Sequence, residues 1–152
     1  MNPLDIYQGA LNAGSSAVIA GDFARHAATF DLPYLVHTAT AHLLVSSVAE
    51  LRPTFDALRA GLLSRGVTHY ERIARTADYV DRNRIEGSHH THILADGERV
   101  AYPYLSRHVL VRRGELWLFS EAHYEQVEAG RWPLSTNDIF DHVKSLAPKV
   151  SG

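Results

Sequence analysis

The 152 residues suffice for one domain with its own core and are too few for two comfortable ones. Hydrophobic residues at 45% and charged residues at 21% match an ordinary globular chain. The net charge of −2, with no basic run, removes nucleic acid from the expected partners. The absence of cysteine excludes disulfide frameworks and thiolate metal centres. The N-terminus lacks the basic, apolar and small-residue pattern of a secretory leader, and no apolar run approaches the roughly 18 residues of a membrane span. The expectation is a cytoplasmic protein without a membrane partner.

The first helix is expected from Asn2 as N-cap and Pro3 at the first helical position. Leu4, Tyr7, Leu11 and Val18 lie along one face, and Gly21 stops it. Asp22 caps a second, short helix over "FARHAATF", which Pro33 terminates. "YLVHT" and "HLLVS" read as two strands around a turn near residues 39–41. Ser47 and Glu50 have capping-box spacing for a third helix, with Leu51, Phe55, Leu58 and Leu62 as its stripe and Gly66 at its end. Beyond Val67 the period changes to two. "THYERIAR", "YVDRNRIEGSHHTHIL", "YLSRHVLVRR" and "ELWLFSEAHYEQ" read as long antiparallel strands. Turns are expected at Thr76–Asp78, at "ADG" (95–97) and at "RRGE" (112–115). A short helix capped by Ser135 or Thr136 completes the chain over 135–147. With no linker or repeat, residues 1–152 form a single domain, with a core over 3–126. Helices first and a strand meander second is an α+β pattern, a curved antiparallel sheet covered by N-terminal helices in a cone.

That order of elements, with "AGD" (20–22), Phe30, "GSHH" (87–90) and the Trp-x-Phe-x-Glu run (117–121), resembles the nuclear transport factor 2-like superfamily. Within it, the chain is similar to the SnoaL-like branch of polyketide cyclases and ketosteroid isomerases. The resemblance implies a cystatin-like fold, a small-molecule pocket in the cone and a homodimer through the outer sheet face. It does not carry over the catalytic residues. Aligned on "AGD", the isomerases' helix tyrosine falls on Gly14, their general-base aspartate on Thr38 and their second aspartate near Arg107. The limonene epoxide hydrolases' arginine could be imitated by Arg107, but Val109 stands where a carboxylate is wanted.

Alternation assigns faces, and the resemblance says which face looks into the cone. Gly87, His89, Thr91 and Ile93 share one side of their strand. Arg107 and Val109 are expected inward on the next strand, as are Trp117, Phe119, Glu121 and His123 on the last. One pocket would then gather His89, Glu121, His123 and Arg107 as catalytic candidates. Tyr7, Thr38, Thr91, Ile93, Val109, Trp117 and Phe119 would be its ligand-binding wall. An arginine can grip an enolate or carboxylate, and a histidine can move a proton when a carboxylate orients it. The expected function is proton-transfer chemistry (isomerase, cyclase or hydrolase) on a small anionic or enolisable compound, without a cofactor.

Two alternatives stay open. One is a ligand-binding or dimerisation module without turnover, with Arg107–Glu121 as an internal salt bridge. The other is a metal site at His90-x-His92, with His108, Asp96 or Glu98 as a further ligand. Ten histidines make such a pair unsurprising by chance, so no metal ligand is assigned.

Overall fold

The computed structural model of the chain describes residues 2–38, 42–101 and 103–124. Helix α1 (Pro3–Ala20) begins where the Asn2 side chain accepts the Leu4 N–H at 2.8 Å. It ends at Gly21, whose φ of 71° is the left-handed cap that glycine adopts without a Cβ penalty. Asp22 caps α2 (Phe23–Ala27) by accepting the Arg25 N–H. Helix α3 (Val48–Ser64) starts at Ser47, whose hydroxyl accepts from the Glu50 N–H, and Glu50 accepts in turn from the Ser46 N–H.

Seven strands follow the alternation: β1 (Phe30–Thr38), β2 (His42–Val45), β3 (His69–Asp81), β4 (Arg84–Ala95), β5 (Glu98–Arg99), β6 (Tyr104–Arg113) and β7 (Leu116–Tyr124). Their order across the sheet is β2-β1-β7-β6-β4-β3, with β5 on β4. Every pairing is antiparallel except one: β1 runs parallel to β7. The sheet is therefore mixed, because the chain leaves β2, crosses over as α3 and comes back through the meander to meet β1.

Three further departures have local causes. The second helix stops at Ala27, and Pro33 lies inside β1 rather than after a helix. It is tolerated because the β7 ladder skips from Phe30 to Leu35 and the β2 ladder begins at Tyr34. No turn interrupts residues 76–78. The β3–β4 register shifts between Ala74 and Thr76, a bulge that breaks alternation without ending the strand. The hairpin turns at Arg82–Asn83 instead, where the Asp81 carboxylate accepts the Asn83 N–H at 2.7 Å. The C-terminal helix over 135–147 and Trp132–Pro133 lie outside the described residues.

The helices cover the concave side. Tyr7 and Leu11 of α1 pack with Tyr34, Val36, Ile85, Leu110, Phe119 and Ala122. A second cluster joins Val18, Phe55, Leu62, Ile93 and Tyr104. Each fully buried large side chain contributes about 1.5–3 kcal/mol. Gln8 docks α1 onto the edge strand: its Nε2 donates to the Arg72 carbonyl and its Oε1 accepts the Ala74 N–H, both at 2.8 Å. Those β3 groups face away from β4, so the side chain replaces a missing neighbour strand.

Candidate functional site

Between the two core clusters lies a cavity in which about 100 Å³ is open to the centre of a water molecule. At about 10–15 Å³ per water, that is room for a small organic molecule of several heavy atoms. Phe30, Tyr34, Tyr70, Tyr104, Phe119 and Tyr124 supply aromatic wall. The polar groups reaching it come from five elements: His26 from α2, Thr54 from α3, Arg72 from β3, and His89 with Thr91 from β4. His108 of β6 completes the set.

His89 and His108 are stacked, their ring centroids 4.9 Å apart and nearly parallel at 5°. They are neighbours because His108 pairs with Gly87 across the β4–β6 ladder, on the same face as His89. Burial raises the Tyr7 hydroxyl well above its ordinary range, against the pull of the Arg72 charge, so it stays protonated, and it lies 2.7 Å from His89 Nδ1 in a hydrogen bond that either group can donate. When Tyr7 donates, the His89 proton is on Nε2. His108 Nδ1 lies 3.3 Å from the Glu121 carbonyl, which can only accept, so His108 carries its proton there and its Nε2 is a bare acceptor. Among the described residues that Nε2 is buried without a partner, as are His26 Nδ1 and Thr54 Oγ1.

Burial holds all three imidazoles neutral. His108 is pushed down to about 3 by desolvation and then by the Arg72 charge, and His26 to about 4 by the same two causes. His89 is lowered further by desolvation, with His108 and Arg72 adding to it. Arg72 reaches inward because Gly14 leaves room: a Cβ there would stand 2.5 Å from its Nη2. Its Nε donates to the Ser15 hydroxyl at 2.9 Å and its Nη2 to the Leu11 carbonyl at 3.1 Å, while Phe119 and Tyr70 flank it. Among the described residues no carboxylate pairs with it, which leaves a net positive wall.

The expected pocket set divides between the two faces. His89, Thr91 and Phe119 line the cavity, and Tyr7 lies beneath His89. Ile93 is buried in the second cluster and Trp117 packs at the rim of the first, neither on the cavity wall. Thr38, half-buried, pairs with Tyr124 at the end of β1. Arg107, Val109, Glu121 and His123 are on the convex face instead. Arg107 pairs with Ser88 and Val109 with Glu86, both outward on β4, so β6 turns its even-numbered side chains inward. On β7, Leu110 pairs with Phe119 and Val109 with Glu121, leaving Ser120 as an extra residue. This bulge reverses the parity: Phe119 looks in, and then Ala122 and Tyr124 do. Arg72, His108, His26 and Thr54 also line the cavity, where spacing alone does not put them. The register opposing Arg72 to Thr91 was the one signal that could have found the arginine.

On the convex face Glu121 Oε2 lies 3.3 Å from His123 Nε2 and 3.9 Å from His37 Nε2, and its Oε1 is 3.6 Å from Arg84 Nη2. Among the described residues these three, His37, Glu121 and His123, are the group whose donor atoms converge closely enough for a metal ion. His90 and His92 lie on the outer face with rings 6.4 Å apart, His108 faces the cavity instead, and among the described residues no third donor converges on the pair.

No family model matches the sequence, and no curated protein does. Solved structures do. An NTF2-like protein of unknown function from Shewanella oneidensis superposes with a TM-score of 0.60 at 9% identity, over 80% of this chain and 98% of that one. A protein of unknown function from Mycobacterium tuberculosis gives 0.60 at 14% identity, over 100% and 99%. A candidate dehydratase of the NTF2-like family from Streptomyces avermitilis gives 0.56 at 16% identity, over 78% and 93%. Others of this set are described by a cystatin-like fold. No helix among the described residues is long and apolar enough to cross a membrane. By its element order, its curved mixed sheet and these superpositions, the chain has the NTF2-like, cystatin-like fold.

Proposed function

We propose that this chain binds a small, flat, anionic or enolisable compound in the cone and moves a proton on it. The observation that carries the reading is His108 Nε2, a buried acceptor without a partner among the described residues, on a ring stacked against His89 in an otherwise aromatic cavity with an Arg72 wall; with Tyr7 donating to its Nδ1, His89 offers Nε2–H as the donor. Aromatic walls select a planar ligand, Arg72 favours negative charge, and the imidazole pair offers one base and one donor to a carbonyl. Solved neighbours described as candidate dehydratases point to one reaction class, loss of water from a β-hydroxy carbonyl. The steps balance with His108 alone. Its Nε2 takes the proton α to the carbonyl and the freed electron pair forms an enolate, which then collapses to the α,β-double bond as the C–O bond breaks. The departing hydroxide collects the same proton and leaves as water. His89 and Arg72 stabilise the enolate between the two steps.

The test needs no known substrate. A panel of aryl and α,β-unsaturated carboxylates and phenolates is screened for thermal stabilisation, and α-proton exchange of bound ketones is followed by NMR in D₂O. Wild type should bind and exchange, His108→Gln should bind without exchange, and Arg72→Gln should lose its preference for anions. Binding with no exchange in wild type leaves a ligand-binding module, and no stabilisation by any compound rejects the reading. The homodimer through the convex face is part of the same proposal, tested by sedimentation; a monomer at all concentrations removes it.

A further inference from the structure

The cone does not use the convex cluster, which stands on the opposite side of the sheet. We propose that His37, Glu121 and His123 bind a divalent first-row transition ion, with Zn²⁺ the reference metal, independently of the cavity.

The backbone puts the three in place. His37 pairs with His123 across the parallel β1–β7 ladder and Leu35 with Glu121, so both β7 ligands sit beside β1 on one face. The two imidazoles stack with centroids 4.4 Å apart and 16° between planes, both with Nε2 near Glu121 Oε2, so ligation turns them out of the stack until both Nε2 lone pairs aim at one point. Around an ion with metal–ligand bonds of about 2.0–2.1 Å, donor atoms lie a little over 3 Å from one another. The 3.3 Å pair already meets that; the 3.9 Å pair and the two imidazole nitrogens, with all three donor atoms within 4.8 Å of one another, close by rotation of side chains that are 22–25% exposed. Two imidazoles with one carboxylate suit Zn²⁺, Ni²⁺ or Co²⁺ and are a poor match for Mg²⁺ or Ca²⁺, which prefer oxygen.

The neighbours supply what bare clusters lack. A ligating histidine usually donates its other ring N–H to an acceptor that fixes the tautomer. His42, opposite His37 in the β1–β2 hairpin, brings its Nδ1 against His37 Nδ1. His37 can therefore donate from Nδ1 to His42 while presenting a bare Nε2. Arg84 does the equivalent for the carboxylate, holding Oε1 and leaving Oε2 to the imidazoles. The three ligands come from two strands and leave a fourth position to water.

The experiment titrates Zn²⁺ into the untagged full-length protein, by calorimetry and by competition with a chromophoric chelator. One equivalent should bind saturably, with Mg²⁺ and Ca²⁺ unable to compete. His37→Ala and His123→Ala should each weaken binding more than tenfold, and His42→Ala and Arg84→Gln by roughly tenfold. The His90→Ala/His92→Ala double variant should bind as wild type does. Histidine ring ¹⁵N shifts on wild type give a readout that no variant's folding can confound: His37 and His123 should move first. Absence of saturable binding, or one equivalent retained in both His37→Ala and His123→Ala, overturns the site.

Discussion

The two faces of this sheet carry their histidines in opposite ways. On the concave face His89 and His108 are 1% and 3% exposed, stacked, and held neutral by burial. On the convex face His37 and His123 are about one-quarter exposed, at 22% and 24%, beside a carboxylate. The same side chain is thus a donor or acceptor within a buried cavity and a more open ligand a few ångströms away through the sheet. Burial decides which chemistry is open to it, and sequence spacing does not.

The contrast breaks most severely at Gly87. A Cβ there would stand 2.6 Å from the ring of Tyr7, which is fully buried and cannot swing clear. Gly87→Ala should cost about 3 kcal/mol in urea unfolding and uncouple Tyr7 from His89.

Acid tests the concave side as a whole. The buried histidines have folded pKa values below their ordinary 6.5, so the unfolded chain binds protons first as pH falls. Stability is fully present above pH 6.5 and is lost on acidification, through about pH 4 for His26 and about pH 3 for His108. His26 alone accounts for a loss on the order of 3 kcal/mol across that window. His26→Phe, which keeps the ring among Phe23, Phe30 and Phe55, should flatten the acid slope by one proton. An unchanged slope would mean that His26 is solvated.

Tyr7→Phe sharpens the comparison. It removes one buried hydrogen bond, costs about 1–2 kcal/mol, and frees His89 Nδ1 to change tautomer, visible in the ring ¹⁵N shifts. The smallest effect belongs to the convex face. Arg84→Gln breaks two ion pairs at 3.6 Å that are open to solvent, and without metal should cost less than about 1 kcal/mol.

Much of the architecture was legible because local physics enforces it. Asn2–Pro3 and Ser47–Glu50 cap helices by chemistry visible in the letters, and "GSHHTHIL" alternates cleanly enough to put His89 and Thr91 inward. The site was legible only in part, because its other members depend on register. Strand β6 has apolar side chains on both faces, Leu110 on one and Val109 on the other, so alternation could not say that His108 rather than Arg107 looks in. The Ser120 bulge leaves no mark in the sequence, yet it sends Glu121 and His123 outward. Arg72 reads as a solvent residue until its opposition to Thr91 and the gap at Gly14 are known.

Gln8 couples two events that would otherwise be separate. If the first helix lifts, the edge of the sheet loses its cap at the same moment as the cavity loses its roof. Any route for a ligand that requires this opening briefly exposes a sticky strand border to other chains. The amide of Ala74 is a natural clock for it: its hydrogen-exchange rate measures how often the roof is off, well below the energy needed to unfold the whole chain.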